Sequence, residues 1–198
     1  TLSASSAASD VYKRQALLLS AQLLEELKNY DLAIANYDAV PRSHPAFVKA
    51  ELGRAQALVS IGKTETAIEV LTQLSESFPT MRGVHDALGN LLRQNGQFDA
   101  AIKVYDIAIS MIKNPEPKHW YNFYVRAIAY ERDGNWAAAM RDFDNALILS
   151  PNQFQVLNYL GYSLVERGER LDEALSMIQL AVVAQPKAGY IIDSLGWV

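Results

Sequence analysis

The chain contains no cysteine, which excludes disulfides, thiolate metal sites and thiol nucleophiles. Histidine is scarce, and His44, His85 and His119 lie far apart, without the i, i+4 pairing on one helix face that a metal site calls for; no metal is expected. No segment approaches the roughly 20 apolar residues that span a bilayer. The richest one, Ala16 to Leu24, is broken by Ser20 and Gln22. Positive charge is also short: 18 Lys and Arg stand against 22 Asp and Glu, for a net charge of −4, and no basic cluster occurs. Without such a cluster the sequence-independent attraction to phosphate is missing, so nucleic acid is not an expected partner.

The constellations of catalysis are missing too. There is no glycine-rich phosphate loop and no serine in a nucleophile-elbow setting. Acidic pairs such as Glu25-Glu26 and Asp172-Glu173 fall on solvated faces or helix starts, where Asp172 answers the helix dipole rather than moving protons. We expect neither an enzyme nor a cofactor in this stretch of chain. Half of the residues are apolar and 20% are charged, the composition of a core-forming protein.

What the sequence does contain is a repeat. A small residue recurs at Ala21, Ala55, Gly89, Ala127, Gly161 and Gly196, with steps of 34, 34, 38, 34 and 35 residues. A second small residue keeps step at Ala33, Ala67, Ala101, Ala139 and Ala174; glycine follows the pattern at Gly62, Gly96, Gly134 and Gly168, and proline at Pro45, Pro79, Pro151 and Pro186. In one unit Leu88, Leu91, Leu92 and Asn95 form a stripe at helical spacing. Gly96 then offers the left-handed conformation that ends a helix. A second stripe follows on Phe98, Ala101, Ile102, Tyr105, Ala108 and Ile109. Units of this length cannot bury their apolar faces alone, so they stack on their neighbours as a solenoid.

The pattern resembles the tetratricopeptide repeat, which reads Leu-Gly-x-x-Tyr, then Ala-x-x-x-Phe, then Pro over about 34 residues. Ala127, Tyr130, Gly134, Ala139, Phe143, Ala146 and Pro151 match it, as do Leu160, Gly161, Leu164, Gly168, Ala174, Ile178, Ala181 and Pro186. The first two repeats are weaker, with Ser20-Ala21 and Arg54-Ala55 in place of Leu-Gly. The resemblance implies an all-α fold: an α-solenoid, a right-handed superhelix of antiparallel helix pairs. It comprises about five units, at 14–47, 48–81, 82–119, 120–153 and 154–188, plus the first helix of a sixth at 189–198. Four extra residues near Lys113 to Lys118 and one within Gly168 to Glu173 are expected to be neutral additions to loops.

Both ends read as interruptions. Residues 1–15, with Ser5-Ser6-Ala7-Ala8-Ser9-Asp10-Val11-Tyr12-Lys13-Arg14-Gln15, resemble a translated sequencing adapter, or else a disordered linker, and stand outside fold reasoning. The sequence stops inside a repeat, so a fragment of a longer chain is expected.

By the family's positions, 2, 5, 9 and 12 of each first helix face the ligand. Position 9 falls on Gln22, Gln56, Asn90, Ile128, Tyr162 and Trp197. The resemblance thus implies a partner-binding groove on Asn90, Tyr121, Tyr124, Asn158, Tyr162, Tyr190, Asp193 and Trp197, rich in rings and amides. No repeat carries the Lys-Asn pair with which some members clamp a chaperone's C-terminal carboxylate: the position 5 and 9 pairs include Leu52/Gln56, Asp86/Asn90 and Asn158/Tyr162. Function is therefore expected to be that of a non-catalytic scaffold for a protein or peptide. The alternative is a regulatory or substrate-selecting arm of a larger enzyme. The stretches Asn158 to Ala174 and Tyr190 to Trp197 are similar to the last repeats of bacterial exported tetratricopeptide proteins, some of them outer-membrane lipoproteins that scaffold a periplasmic protease. That similarity implies a periplasmic address, with a cytoplasmic one as the alternative; it leaves the oligomeric state open. Deleting residues 1–15 should leave helicity and the thermal midpoint unchanged, which circular dichroism would check.

Overall fold

The computed structural model describes residues 16–197; the suspected adapter segment and Val198 lie outside the described residues. Every regular element among the described residues is helical. Helix α1 covers residues 16–26, followed by α2 (Tyr30–Asp38), α3 (Phe47–Ser60), α4 (Thr64–Ser77), α5 (Arg82–Gln94) and α6 (Phe98–Ser110). A 3₁₀ turn (Pro117–His119) leads into α7 (Trp120–Arg132), α8 (Trp136–Leu149), α9 (Phe154–Glu166), α10 (Leu171–Ala184) and α11 (Gly189–Trp197). The chain divides into two compact units after Ala108, within α6. In the first unit α3 packs against α2, α4 and α5; in the second α7 packs on α8, α9 on α10, and α11 on both α9 and α10.

The turns within each pair are short because one residue in each adopts a left-handed conformation. Gly62, Gly96, Gly134 and Gly168 have φ between 67° and 84°, and each amide closes the end of the preceding helix, as Gly96 does on the Arg93 carbonyl at 3.1 Å. In the first repeat that register position is Lys28, with φ 59°. A side chain there crowds the following carbonyl, a penalty of roughly 1–2 kcal/mol.

Helix pairs close on the small residues that keep the repeat's step. Ala21, Ala33, Ala67, Ala101, Ala127, Ala139 and Ala174 are fully buried, and Ala55 nearly so. The opposing large residues are Tyr37, Leu71, Tyr105, Phe143 and Ile178, all buried. The closest approaches fall on glycine. A Cβ on Gly89 would lie 2.6 Å from the Tyr105 ring, and one on Gly161 would lie 2.8 Å from Cγ1 of Ile178 and 3.0 Å from the Ala174 carbonyl oxygen. Gly53, two residues before the register position Ala55, makes the same accommodation for the Tyr37 ring at 2.5 Å. Gly196 differs: it is exposed, and a Cβ there would meet nothing within 4 Å.

The two insertions are better held than neutral loops need to be. In the longer one, Glu116 and His119 form a reciprocal capping box around the 3₁₀ turn, with the Glu116 N–H donating to Nδ1 of buried His119 at 2.9 Å. In the shorter one the added residue puts Arg170 at φ 49°. It also places Glu169 to accept from Nε1 of Trp136 at 3.2 Å and from Nε of Arg167 at 3.0 Å, while the Arg167 guanidinium sits 4.5 Å from the centre of the Trp136 ring. The turn between α9 and α10 is thereby tied to the first residue of α8.

Two substitutions check this account by urea unfolding. Gly161→Leu should lower stability by at least about 1–3 kcal/mol, because the Ala174 backbone cannot rotate away as a side chain would. Lys28→Gly should raise it by about 1 kcal/mol through relief of the left-handed penalty.

Candidate partner-binding surface

The second unit carries all five aromatic side chains expected on the groove. Tyr121 and Tyr124 stand one turn apart on α7, Asn158 and Tyr162 one turn apart on α9, and Tyr190, Asp193 and Trp197 follow the same face of α11. Tyr121, Tyr190 and Trp197 are exposed, at 42%, 57% and 68%. Asp193 is exposed as well, whereas Tyr124, Asn158 and Tyr162 are half-buried. Asn90 belongs to the first unit, half-buried on α5.

Tyr124 is the residue whose role the structure changes most. Its ring lies 5.6 Å from Trp120, 6.4 Å from Tyr121, 6.4 Å from Phe143 and 6.0 Å from Tyr159, so it joins the surface to the core of the fourth and fifth repeats. Each such pair adds about 0.5–1.5 kcal/mol beyond the area it buries. Tyr124 therefore supports structure as well as any ligand. Ile128, at a groove position by the family's numbering, is buried with Ala127, Phe143 and Leu160 in the hydrophobic core instead. A β-branched aliphatic residue at that place follows the apolar stripe rather than the family's ligand register.

Polar groups beneath the rings hold them in place. The Tyr159 hydroxyl donates to Glu131 at 3.0 Å, and burial, reinforced by that carboxylate, pushes its pKa above the usual tyrosine range. In the first unit, burial and the Glu25 carboxylate do the same to Tyr37, whose hydroxyl donates to Glu25. At Tyr162 the hydrogen bond to Glu166 is the leading cause of a raised pKa, with desolvation adding to it. Glu25 and Glu131 each accept a hydrogen bond from a tyrosine hydroxyl, Tyr37 and Tyr159 respectively. Asn158 has a buried Oδ1 with no hydrogen-bond partner.

An ion pair not legible in the sequence anchors α7 to α8. Arg126 donates through Nε to Oδ2 of Asp142 at 2.6 Å and through a terminal nitrogen to Oδ1 at 2.8 Å, a bidentate contact in which Asp142 is 3% exposed. The same guanidinium lies 5.7 Å from the Tyr130 ring centre and 6.0 Å from that of Phe123. The three histidines serve local structure. His44 Nδ1 accepts the Ala46 N–H at 3.1 Å, His85 Nε2–H donates to the Pro79 carbonyl at 3.0 Å, and His119 closes the capping box. No helix among the described residues is long and apolar enough to cross a membrane.

A run of antiparallel helix pairs with small residues at their crossings defines a helical-repeat protein. The family model described as "Psidin, N-terminal TPR repeats region" matches residues 22–147, and that of the tetratricopeptide repeat matches residues 124–189. The chain belongs to the tetratricopeptide repeat family, whose fold commonly mediates protein–protein interaction. It is 25% identical over 178 residues to the TPR repeat-containing protein PA4667 of Pseudomonas aeruginosa, covering 89% of this chain and 29% of that protein's length. Among solved structures, MamA 41-end from Desulfovibrio magneticus RS-1 superposes with a TM-score of 0.73 at 15% identity, covering 88% of this chain and 97% of that one. A chain of the APC/C hetero-tetramer Cut9-Hcn1 also gives 0.73, at 17% identity, covering 92% of this chain and 35% of that one. At such identities the likeness shows the α-solenoid fold.

Removing one partner of the buried pair leaves a stranded charge, so Asp142→Ala should destabilise by about 3–5 kcal/mol. Calorimetric melting would read this as a lower midpoint. A double replacement, Arg126→Met with Asp142→Leu, should recover much of the loss.

Proposed function

We propose that this chain is a non-catalytic scaffold that holds a peptide or protein segment against the first helices of its repeats. The observation that carries the reading is the exposure of Tyr121, Tyr190 and Trp197 on α7 and α11, with half-buried Tyr162 on α9. Rings left to water on ligand-facing positions give a partner large contact area at low entropic cost, and the neighbouring amide and hydroxyls fix its main chain. The rest of the surface register, Asn90, Tyr124, Asn158 and Asp193, takes part in the same proposal. Lysine and arginine are missing from it, which disfavours recognition of a terminal carboxylate or of phosphate.

The chain spans 29% of the length of its Pseudomonas relative, so a larger whole is a live alternative: the arm of an enzyme, selecting substrates for a domain elsewhere. A complete reading frame separates the two. A signal sequence with repeats throughout supports the exported scaffold and its periplasmic address; an adjoining catalytic domain supports the arm.

The binding test uses Tyr121→Ala with Tyr162→Ala, because neither ring is buried. A partner captured by the wild-type protein should lose about thirtyfold in affinity, the worth of roughly 2 kcal/mol at a central aromatic anchor. Its dependence on salt should be shallow. Tyr37→Ala is the contrast: a ring 2% exposed against Gly53, whose loss should lower the melting midpoint. Undiminished affinity in the double variant would move the site off these helices.

A further inference from the structure

The second repeat holds a small polar cleft between its own two helices, α3 and α4, with Arg42 of the α2–α3 connection at its rim. None of the residues lining it falls on a ligand-facing position of the repeat. Its volume is about 80 Å³. A single water takes roughly 10–15 Å³ on the same scale, so the cleft admits a molecule of only a few heavy atoms. Phe47, Val70 and Leu74 form apolar walls, and the Phe47 ring is backed by Phe78 at 6.2 Å between centres.

The polar groups are unusual. Glu51 is 8% exposed, and its Oε2 accepts from a terminal nitrogen of Arg54 at 2.6 Å. The other terminal nitrogen of Arg54 donates to Asp38 at 3.2 Å, so one guanidinium serves two carboxylates. Oε1 of Glu51 has no hydrogen-bond partner among the described residues, a costly state for a carboxylate oxygen taken out of water. Gln73 and Ser77 bring two further acceptors to the cleft, equally unengaged among the described residues. Three acceptors suit a primary ammonium, which has three N–H donors and no acceptor. Arg42 adds a condition. It is exposed, pairs with no carboxylate among the described residues, and repels a bare ammonium, so the ligand must carry an anion beside its cation. We infer that this cleft binds a small free α-amino acid as its zwitterion, the ammonium donating to Glu51 Oε1, Gln73 and Ser77 while the carboxylate meets Arg42. A peptide does not satisfy the same groups: its terminal ammonium is followed by an amide, and a lysine ammonium has no carboxylate one carbon away. The inference stands apart from the scaffold reading and gives the second repeat a small-molecule site of its own.

The test is an NMR titration of the full chain with L-alanine and with its two truncations, ethylammonium and propionate, read on the backbone amides of Phe47, Glu51, Gln73 and Ser77. Alanine should shift them. Propionate, without the ammonium, should bind at least about tenfold more weakly, the worth of a hydrogen bond to a charged group. Ethylammonium, without the carboxylate, should lose about threefold, the worth of an exposed ion pair. L-Tryptophan, too large for the cleft, should leave the amides in place. Glu51→Gln keeps an amide oxygen but removes the charge, and should weaken alanine at least about tenfold. If that variant melts early because Arg54 loses a partner, Arg42→Ala carries the test: it should leave the melting midpoint unchanged and bring alanine down to the affinity of ethylammonium. Equal binding of alanine and propionate, undiminished shifts with tryptophan, or an alanine preference over ethylammonium that survives Arg42→Ala would overturn the inference. So would shifts that map elsewhere, or none at high millimolar alanine.

Discussion

Everything in this protein depends on how closely two helix backbones approach at each crossing. A repeat of some 34 residues has too little apolar surface to stand alone, so each helix pair is stable only while its neighbours lie against it. Alanine at Ala33, Ala67, Ala101, Ala139 and Ala174 permits that approach, and each is fully buried. The tightest approaches use glycine instead. Gly53 and Gly89 receive Tyr37 and Tyr105, and Gly161 meets Ile178. The residues between the crossings are then free to vary, which is how one repeat serves both structure and recognition.

That freedom is spent unevenly. The second unit joins aromatic side chains into a continuous cluster running from Tyr121 through Trp120 and Tyr124 to Tyr159, Phe143 and Trp136. Beneath it the Arg126–Asp142 pair and the Glu131–Tyr159 hydrogen bond restrict the rings. Rings held in this way have little conformational freedom left to lose. The first unit has instead an amide-rimmed cleft between α3 and α5, over aliphatic residues. The two surfaces differ in chemistry: exposed rings in one, amides beside aliphatic side chains in the other.

Some readings of the sequence needed correction or refinement. Ile128 shares a register position with ligand-facing residues but is buried in the core, because its neighbours in space are Ala127, Phe143 and Leu160. Tyr124, read as a surface ring, is also a core ring, a dual role that periodicity cannot express. In the lengthened turn of the fifth repeat Glu169 meets Trp136, 33 residues earlier in the chain, a contact that spacing alone does not show.

The sequence by itself determined the repeat, the helix boundaries at Gly62, Gly96, Gly134 and Gly168, and the identity of the buried small residues. These are local properties: backbone permissiveness and apolar spacing are written at consecutive positions and act over one or two turns. It also determined the scarcity of charge on the expected groove, since composition survives any folding. The tertiary structure alone decided which polar groups meet. Arg126 and Asp142 are 16 residues apart and Glu131 and Tyr159 are 28 apart, and nothing in either spacing marks them as partners. It alone opened the cleft between α3 and α5, because a cavity is made by the distance between helices from different repeats, and that distance is set by packing rather than by any run of residues.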